Sequence, residues 1–239
     1  MQDIWQELNR QILAGQDFFD EQCRSLLVAL REQSVTIYCK EGCSNCCTLM
    51  VNATFPEALL VGAVLAPEQF DAVAAHAEGL ARIACDARDF KDYLRRRRRD
   101  LGPCPLLNAD GRCGVYAVRP IACRALFATR NSAWCAVDFG TLHSAEKEAF
   151  MSSLDPSLVA FPTHYLAATQ ALGQQLEARA AAAMVSRWGF SLNGSLAFLL
   201  FLEQRCRLSA LIPQGLAATR QALAAAGYDL PFVVNYDPI

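Results

Sequence analysis

The chain has 239 residues, 53% hydrophobic and 19% charged, with a formal net charge of −2. This supplies enough apolar side chain for a buried core and excludes both a disordered chain and a disulfide-propped miniprotein. The near-neutral charge argues against a general nucleic-acid binder, no apolar run approaches the roughly 20 residues of a membrane span, and Asp3 and Glu7 stand where a signal peptide would be apolar.

The expectation is one cytoplasmic domain, 1–239, mostly α, in which irregular cysteine-rich loops form a metal site. Within it lie a cysteine-cluster metal-chelating region at 37–135 and a C-terminal helical layer at 144–239.

In chain order, Ile4, Leu8, Ile12, Phe19, Cys23, Leu26 and Leu30 recur at helical steps and predict a helix or helix pair over 1–33, broken near Gly15. Thr54-Phe-Pro-Glu57 fits a capping box with Pro in the first turn and opens a helix toward Leu65. From Pro67, the stripe Phe70, Val73, Ala77, Leu80, Ala84, Ala87, Phe90 and Leu94 predicts one long amphipathic helix ending near Arg99. Pro103, Pro105, Asp110-Gly111, Gly114 and Pro120 make the next stretch turn-rich.

Helical signals resume at Ser144, and Asp155-Pro156 reads as the start of a helix running to Trp188-Gly189. Ser195–Arg207 and Pro213–Ala226 are the last predicted helices, the second closed by Gly227, and an extended tail follows Leu230. Little or no sheet is expected apart from that tail.

Cysteine carries the chemical signal. There are 11, an odd number with no export signal, which favours a reducing compartment and metal thiolates over disulfides. Cys23, Cys85 and Cys206 stand outside the two groups and are read as small core hydrophobes.

The first group is Cys39-Lys-Glu-Gly-Cys43-Ser-Asn-Cys46-Cys47. On a helix its sulfurs would share one face, while Gly42, Ser44 and Asn45 suit a loop whose N–H groups turn toward sulfur. The second is Cys104-Pro105, Arg112-Cys113-Gly114, Cys123-Arg124 and Cys135. Gly or Pro beside each of the first two cysteines, and Pro120 before Cys123, are what a backbone wrapping an ion requires. Four thiolates on one Zn²⁺ or one [4Fe-4S]²⁺ core leave a net charge near −2, so nearby cations are needed, and Arg112, Arg119 and Arg124 are placed to bind such a cofactor.

CKEGCSNCC followed by CPLL and GRCGVYAVRPIACR resembles the cysteine-cluster family of zinc- or iron-chelating domains, the YkgJ-type proteins, over a little over two fifths of the chain. The resemblance implies a bacterial cytoplasmic protein that binds zinc or an iron–sulfur cluster through Cys39, Cys43, Cys46, Cys47, Cys104, Cys113 and Cys123, with Cys135 as a further candidate. It leaves the role open between a structural, electron-transfer or metal-handling protein and a cluster-dependent protein-modifying enzyme such as a lysine N-methylase-like protein. No residue is assigned a catalytic role, and the partner expected is the metal ion or cluster.

Adjacent side chains diverge by about 100° on a helix and nearly 180° on a strand, so Cys46 and Cys47 are awkward ligands for one tetrahedral ion. With eight candidate thiols, the weight falls on an iron–sulfur cluster of the 4Fe-4S kind, with zinc as the alternative. Neither cysteine group looks self-sufficient, and the two are expected to converge on one centre. Arg95 to Arg99 reads as a solvated, dipole-complementing helix end, with an anion, RNA or acidic-partner contact as the other reading. His76, His143 and His164 form no HExxH pattern, and no GxG, GxxxxGK[ST] or GxSxG sequence supports a nucleotide enzyme or serine hydrolase.

Overall fold

The computed structural model describes residues 2–238, with side chains from 4 to 237. The chain is mostly helical, with a three-stranded antiparallel sheet near its centre.

α1 (Gln2–Glu32) is one unbroken helix instead of a pair. An interior Gly costs only about 1 kcal/mol relative to Ala, and Gly15 brings the helix against Leu176. Cysteine-bearing loop then leads into β1 (Asn52–Thr54) and α2 (Phe55–Gly62), whose capping box forms as expected.

The predicted long helix is two, α3 (Pro67–Asp86) and α4 (Phe90–Asp100). Ala87 is extended, and Asp89 restarts the chain by accepting the Asp92 N–H at 2.7 Å. The apolar stripe continues in step across this break, which is why periodicity does not reveal it.

α5 (Ile121–Arg124) is a single turn inside the second cysteine region, and α6 (Ser144–Ser152) follows. Asp155 does not start a helix. Its carboxylate takes the Ser157 N–H and hydroxyl in a local turn, and α7 begins at Ala167 and runs to Trp188. Gly189, at φ 77°, closes it.

β2 (Phe190–Ser195) comes next, then α8 (Leu196–Cys206), α9 (Leu208–Leu211), α10 (Leu216–Ala225) and β3 (Val234–Pro238). β2 is the central strand: Ala53 pairs with Gly194 on one side and Leu192 with Tyr236 on the other. The expected tail strand forms as β3, and the sheet stays small, but β1 and β2 beside it were not expected. β2 is buried on both faces, so it lacks the alternation of a half-buried strand. Gly194 is required there, since a Cβ would lie 2.2 Å from the Val233 carbonyl oxygen.

The main core joins α8, whose residues Leu196–Leu202 are all buried, to α2, α3, α7 and β2. A smaller cluster, Phe19, Cys23, Ile121 and Ala125, fixes α1 and α5 to one another, with Leu172 and Leu176 of α7 packed on it. Cys23 is therefore a core residue and Cys206 packs partly buried against the main core, whereas Cys85 is exposed, contrary to expectation.

Candidate metal centre

Five segments carry the eight candidate cysteines. Residues 39–43 form a turn, with the Cys43 N–H on the Lys40 carbonyl at 3.1 Å and Gly42 at φ 78°. Cys46 and Cys47 sit in the 3-10 turn Asn45–Thr48, not on an α-helix, so the one-face helical arrangement of the first group does not occur.

Cys104 and Cys113 flank a small hairpin. Leu107 bridges Cys113, Asn108 N–H reaches the Arg112 carbonyl at 2.8 Å, and Gly111 turns the chain at φ 79°. A Cβ on Gly114 would crowd the Leu106 carbonyl at 3.1 Å and displace the ends of the Asn108 and Gln69 side chains, so the hairpin packs closely there. Cys123 rides on α5 and Cys135 on the 3-10 turn Ser132–Ala136.

Backbone and side-chain bonds tie these segments together. Cys104 N–H donates to the Cys47 carbonyl at 2.9 Å, and Tyr38 N–H to the Ala128 carbonyl at 2.8 Å. Asn45 reaches Ser132 at 3.1 Å. Arg97, 5% exposed, donates to the Thr48 carbonyl at 2.6 Å, and Arg98 donates to the carbonyls of Val137 and Cys135. The arginine run is thus not simply a solvated end: two of its five members turn inward and hold both cysteine loops.

Buried Glu57 supports the same region from the far side, one carboxylate oxygen taking the Ile121 N–H at the start of α5 at 2.8 Å and the other the Thr54 N–H and hydroxyl, both at 2.9 Å.

The sulfurs form one electrostatically connected pool. Burial pushes the Cys39 thiol up, as do the charges of Cys46 and Cys43, while the Ala128 N–H and Arg119 oppose this. Burial also pushes up Cys104, reinforced by Cys113 and Cys46, and Cys123, reinforced by Cys104, Cys46 and Cys113. The adjacent Cys46 and Cys47 thiols act on one another so that Cys46 is lowered and Cys47 raised, and Cys47 also feels Cys104 and Cys123. Cys135 is pushed up to about 11 by burial, with Tyr165 opposing and Cys46, Cys39 and Cys43 adding to the rise.

Cys46 is the common neighbour of both groups. Ionising one of these thiols opposes ionising the next unless a cation is near. Cys23 and Cys206 feel no thiol neighbour.

The three expected arginines divide. Arg119 stacks on Tyr116 at 3.7 Å, its Nε has no hydrogen-bond partner among the described residues, and its charge favours the thiolates of Cys39, Cys46 and Cys123. Arg124 is buried but bonds to Asp20, Gln16 and the carbonyls of Ala117 and Arg119, which joins α1 to α5. Arg112 is exposed beside Asp110 at 3.8 Å.

Sequence reasoning passed over His164, which is 4% exposed with Nε2 3.3 Å from the Cys135 sulfur. A lone histidine 29 residues from its partner belongs to no spacing motif. His143 is exposed at the start of α6.

Residues 38–139 match the CxxCxxCC family model, described as a putative zinc- or iron-chelating domain. The match covers the resemblance read from the cysteine spacing and supports metal binding by this region of the chain. No curated protein and no solved structure matches the chain. Among the described residues no group of three or more His, Cys, Asp or Glu side chains is arranged to hold a metal ion, so the expected metal site is not itself displayed. The donor chemistry nevertheless fits: thiolates with one imidazole are the soft ligands that zinc and iron–sulfur centres take. No helix of the described residues is long and apolar enough to cross a membrane.

Proposed function

We propose that the chain is an iron–sulfur protein that pools cysteines from both groups into one centre. What supports this reading is the packing of Cys39 and Cys46 of the first group with Cys135 of the second in one small cluster, Cys46 also bearing on the ionisation of Cys104 and Cys123. A cluster of the 4Fe-4S kind draws on sulfur from several directions, so it accommodates the adjacent Cys46 and Cys47 better than one tetrahedral ion does. When bound, such a cluster supplies one-electron transfer or a structural cross-link.

The residues of the chain then have separable tasks. Cys39, Cys43, Cys46, Cys47, Cys104, Cys113, Cys123 and Cys135 are the candidate ligands. Arg119 offsets their negative charge, and Arg97 and Arg98 fix the loops that carry Cys47 and Cys135. The reading is a structural, electron-transfer or metal-handling protein of the cytoplasm.

Anaerobically purified protein is expected to be coloured, to contain iron and acid-labile sulfide, and to bleach reversibly with a one-electron reductant. Colourless protein with stoichiometric zinc would overturn the cluster. Serine replacement of Cys43 with Cys46, or of Cys113 with Cys123, is expected to remove nearly all metal in either case, whereas retention of about half by both variants would show two separate sites.

A further inference from the structure

α4 presents a second site beside the cysteine loops. Lys91, Leu94, Arg95 and Arg98 fall at steps of three and four, so they share one face of the helix. That face, the Asp138–Gly140 turn, Lys147 of α6 and the Thr48–Met50 segment border a solvent-open cavity of about 490 Å³. Five cations line it, Lys91, Arg95, Arg97, Arg98 and Lys147, against the single carboxylate of Asp138.

The acidic residues of α4 do not offset them. Asp92 pairs with Arg88 and Arg96, and Asp100 with Arg99. Asp138 accepts the Gly140 N–H at 2.8 Å. The side chains of Lys91, Arg95 and Lys147 make no ion pair or hydrogen bond among the described residues, while Arg97 and Arg98 are held in place by the carbonyls of Thr48, Val137 and Cys135.

Complementing the helix dipole does not account for this arrangement. Lys91 lies in the first turn of α4, where the dipole disfavours a cation, and Lys147 belongs to another helix. The volume falls within the roughly 300 to 1,000 Å³ of small-molecule sites. Lys91 and Arg98, seven residues apart, are separated by about 10 Å along the helix, which is more than one phosphate spans. Arginine forks match phosphate oxygens in pairs, and Leu49, Leu94 and Phe139 give the cavity an apolar wall for an organic body.

We infer that this cavity binds a small molecule carrying a diphosphate or longer phosphate chain, with Lys91, Arg95 and Lys147 as the groups free to engage it. The inference does not rest on the identity of the metal.

The test is calorimetric titration of inorganic pyrophosphate into the full-length protein as purified, at low and moderate salt. Saturable binding of one pyrophosphate per chain is expected, weakened tenfold or more by Arg95→Gln combined with Lys147→Gln. Circular dichroism and metal content of the variant are expected to match the unsubstituted protein, which separates loss of the anion site from loss of the fold or of the metal centre. The single variant Lys91→Gln, at an exposed position, is expected to weaken binding by a smaller factor. Absence of saturable binding up to millimolar pyrophosphate, or equal binding by the double variant, would overturn the inference. So would tight binding of a single-stranded oligonucleotide that pyrophosphate does not displace, since that would make the face a nucleic-acid surface.

Discussion

Replacement of Glu57 tests how the fold supports the cysteine loops. The residue is 1% exposed, and its carboxylate satisfies two buried backbone donors, the N–H groups of Thr54 and Ile121, as well as the Thr54 hydroxyl. Glu57→Ala leaves both N–H groups without an acceptor. A buried donor left unpaired costs about 1 to 3 kcal/mol, so the loss should be about 3 to 5 kcal/mol, a large share of the roughly 5 to 15 kcal/mol that holds a domain together. Glu57→Gln keeps one acceptor oxygen but turns an NH₂ toward a donor, and should lose about half as much.

Urea unfolding followed by circular dichroism, at matched metal content, measures both. Because Ile121 begins the turn that carries Cys123, metal retention should fall in the same order. An alanine variant within about 1 kcal/mol of the parent would refute the argument, since two buried amides cannot lose their acceptor at so small a cost.

Gly194→Ala forces a Cβ into the Val233 carbonyl and should cost on the order of 3 kcal/mol, read as a lower urea midpoint. His76 is buried and held near pKa 4, by desolvation first and Arg97 second, against 6.5 unperturbed. The unfolded chain therefore takes up a proton between pH 6.5 and 4 that the folded chain resists, so stability falls as pH drops through that window, by up to about 3 kcal/mol, and His76→Gln should flatten that limb. Glu177 is raised to about 7 by burial and by Glu57, so it opposes folding as pH rises from 4.5 through 7. Glu177→Gln should stabilise the protein at pH 8 by about 1 to 2 kcal/mol, solvent screening reducing the full effect, and an unchanged melting curve there would contradict this.

Legibility followed the chemistry of each residue. Thr54-Phe-Pro-Glu57 announces α2 because its capping bonds are local, and Gly42 and Gly111 announce the cysteine turns because both need positive φ. β2 was hidden by its burial on two faces, and the break before α4 by an apolar stripe that stays in step across it. Arg97 illustrates a different limit. Nothing local separates it from Arg95 or Arg99, and its burial depends on the Thr48 carbonyl, 49 positions away. Glu57 was readable as a cap but not as the acceptor for Ile121, since that bond exists only once α2 and α5 are adjacent. His164 was equally invisible, because its neighbour Cys135 is brought to it by the Thr129–His164 backbone pairing.

Stability should be unevenly distributed between the cysteine loops and the main core, and metal removal exposes the difference. The C-terminal elements contribute Met184, Phe190, Leu192, an unbroken run from Leu196 to Leu202, Leu208, Ile212 and Leu223 to the main core. From the second cysteine region only Leu106 and Val115 are fully part of it, with Cys104, Cys113 and Val118 packed on its edge, while Ile121, Ala125, Ala128 and Cys135 belong to small separate clusters. Those clusters include Cys39, Cys46 and Cys135 themselves, so a metal that gathers the sulfurs also gathers the local packing.

Metal–thiolate binding contributes directly to folding, by about 10 to 16 kcal/mol for zinc in small peptides. With the metal bound, amide exchange in 37–135 should approach that of α7, β2 and α8. After removal by a chelator under anaerobic conditions, exchange in the cysteine loops and α5 should accelerate by orders of magnitude while α8 and β2 stay protected. Uniform acceleration along the whole chain would instead mean that the C-terminal core cannot stand without the metal, and equal protection before and after removal would mean that the loops do not depend on it.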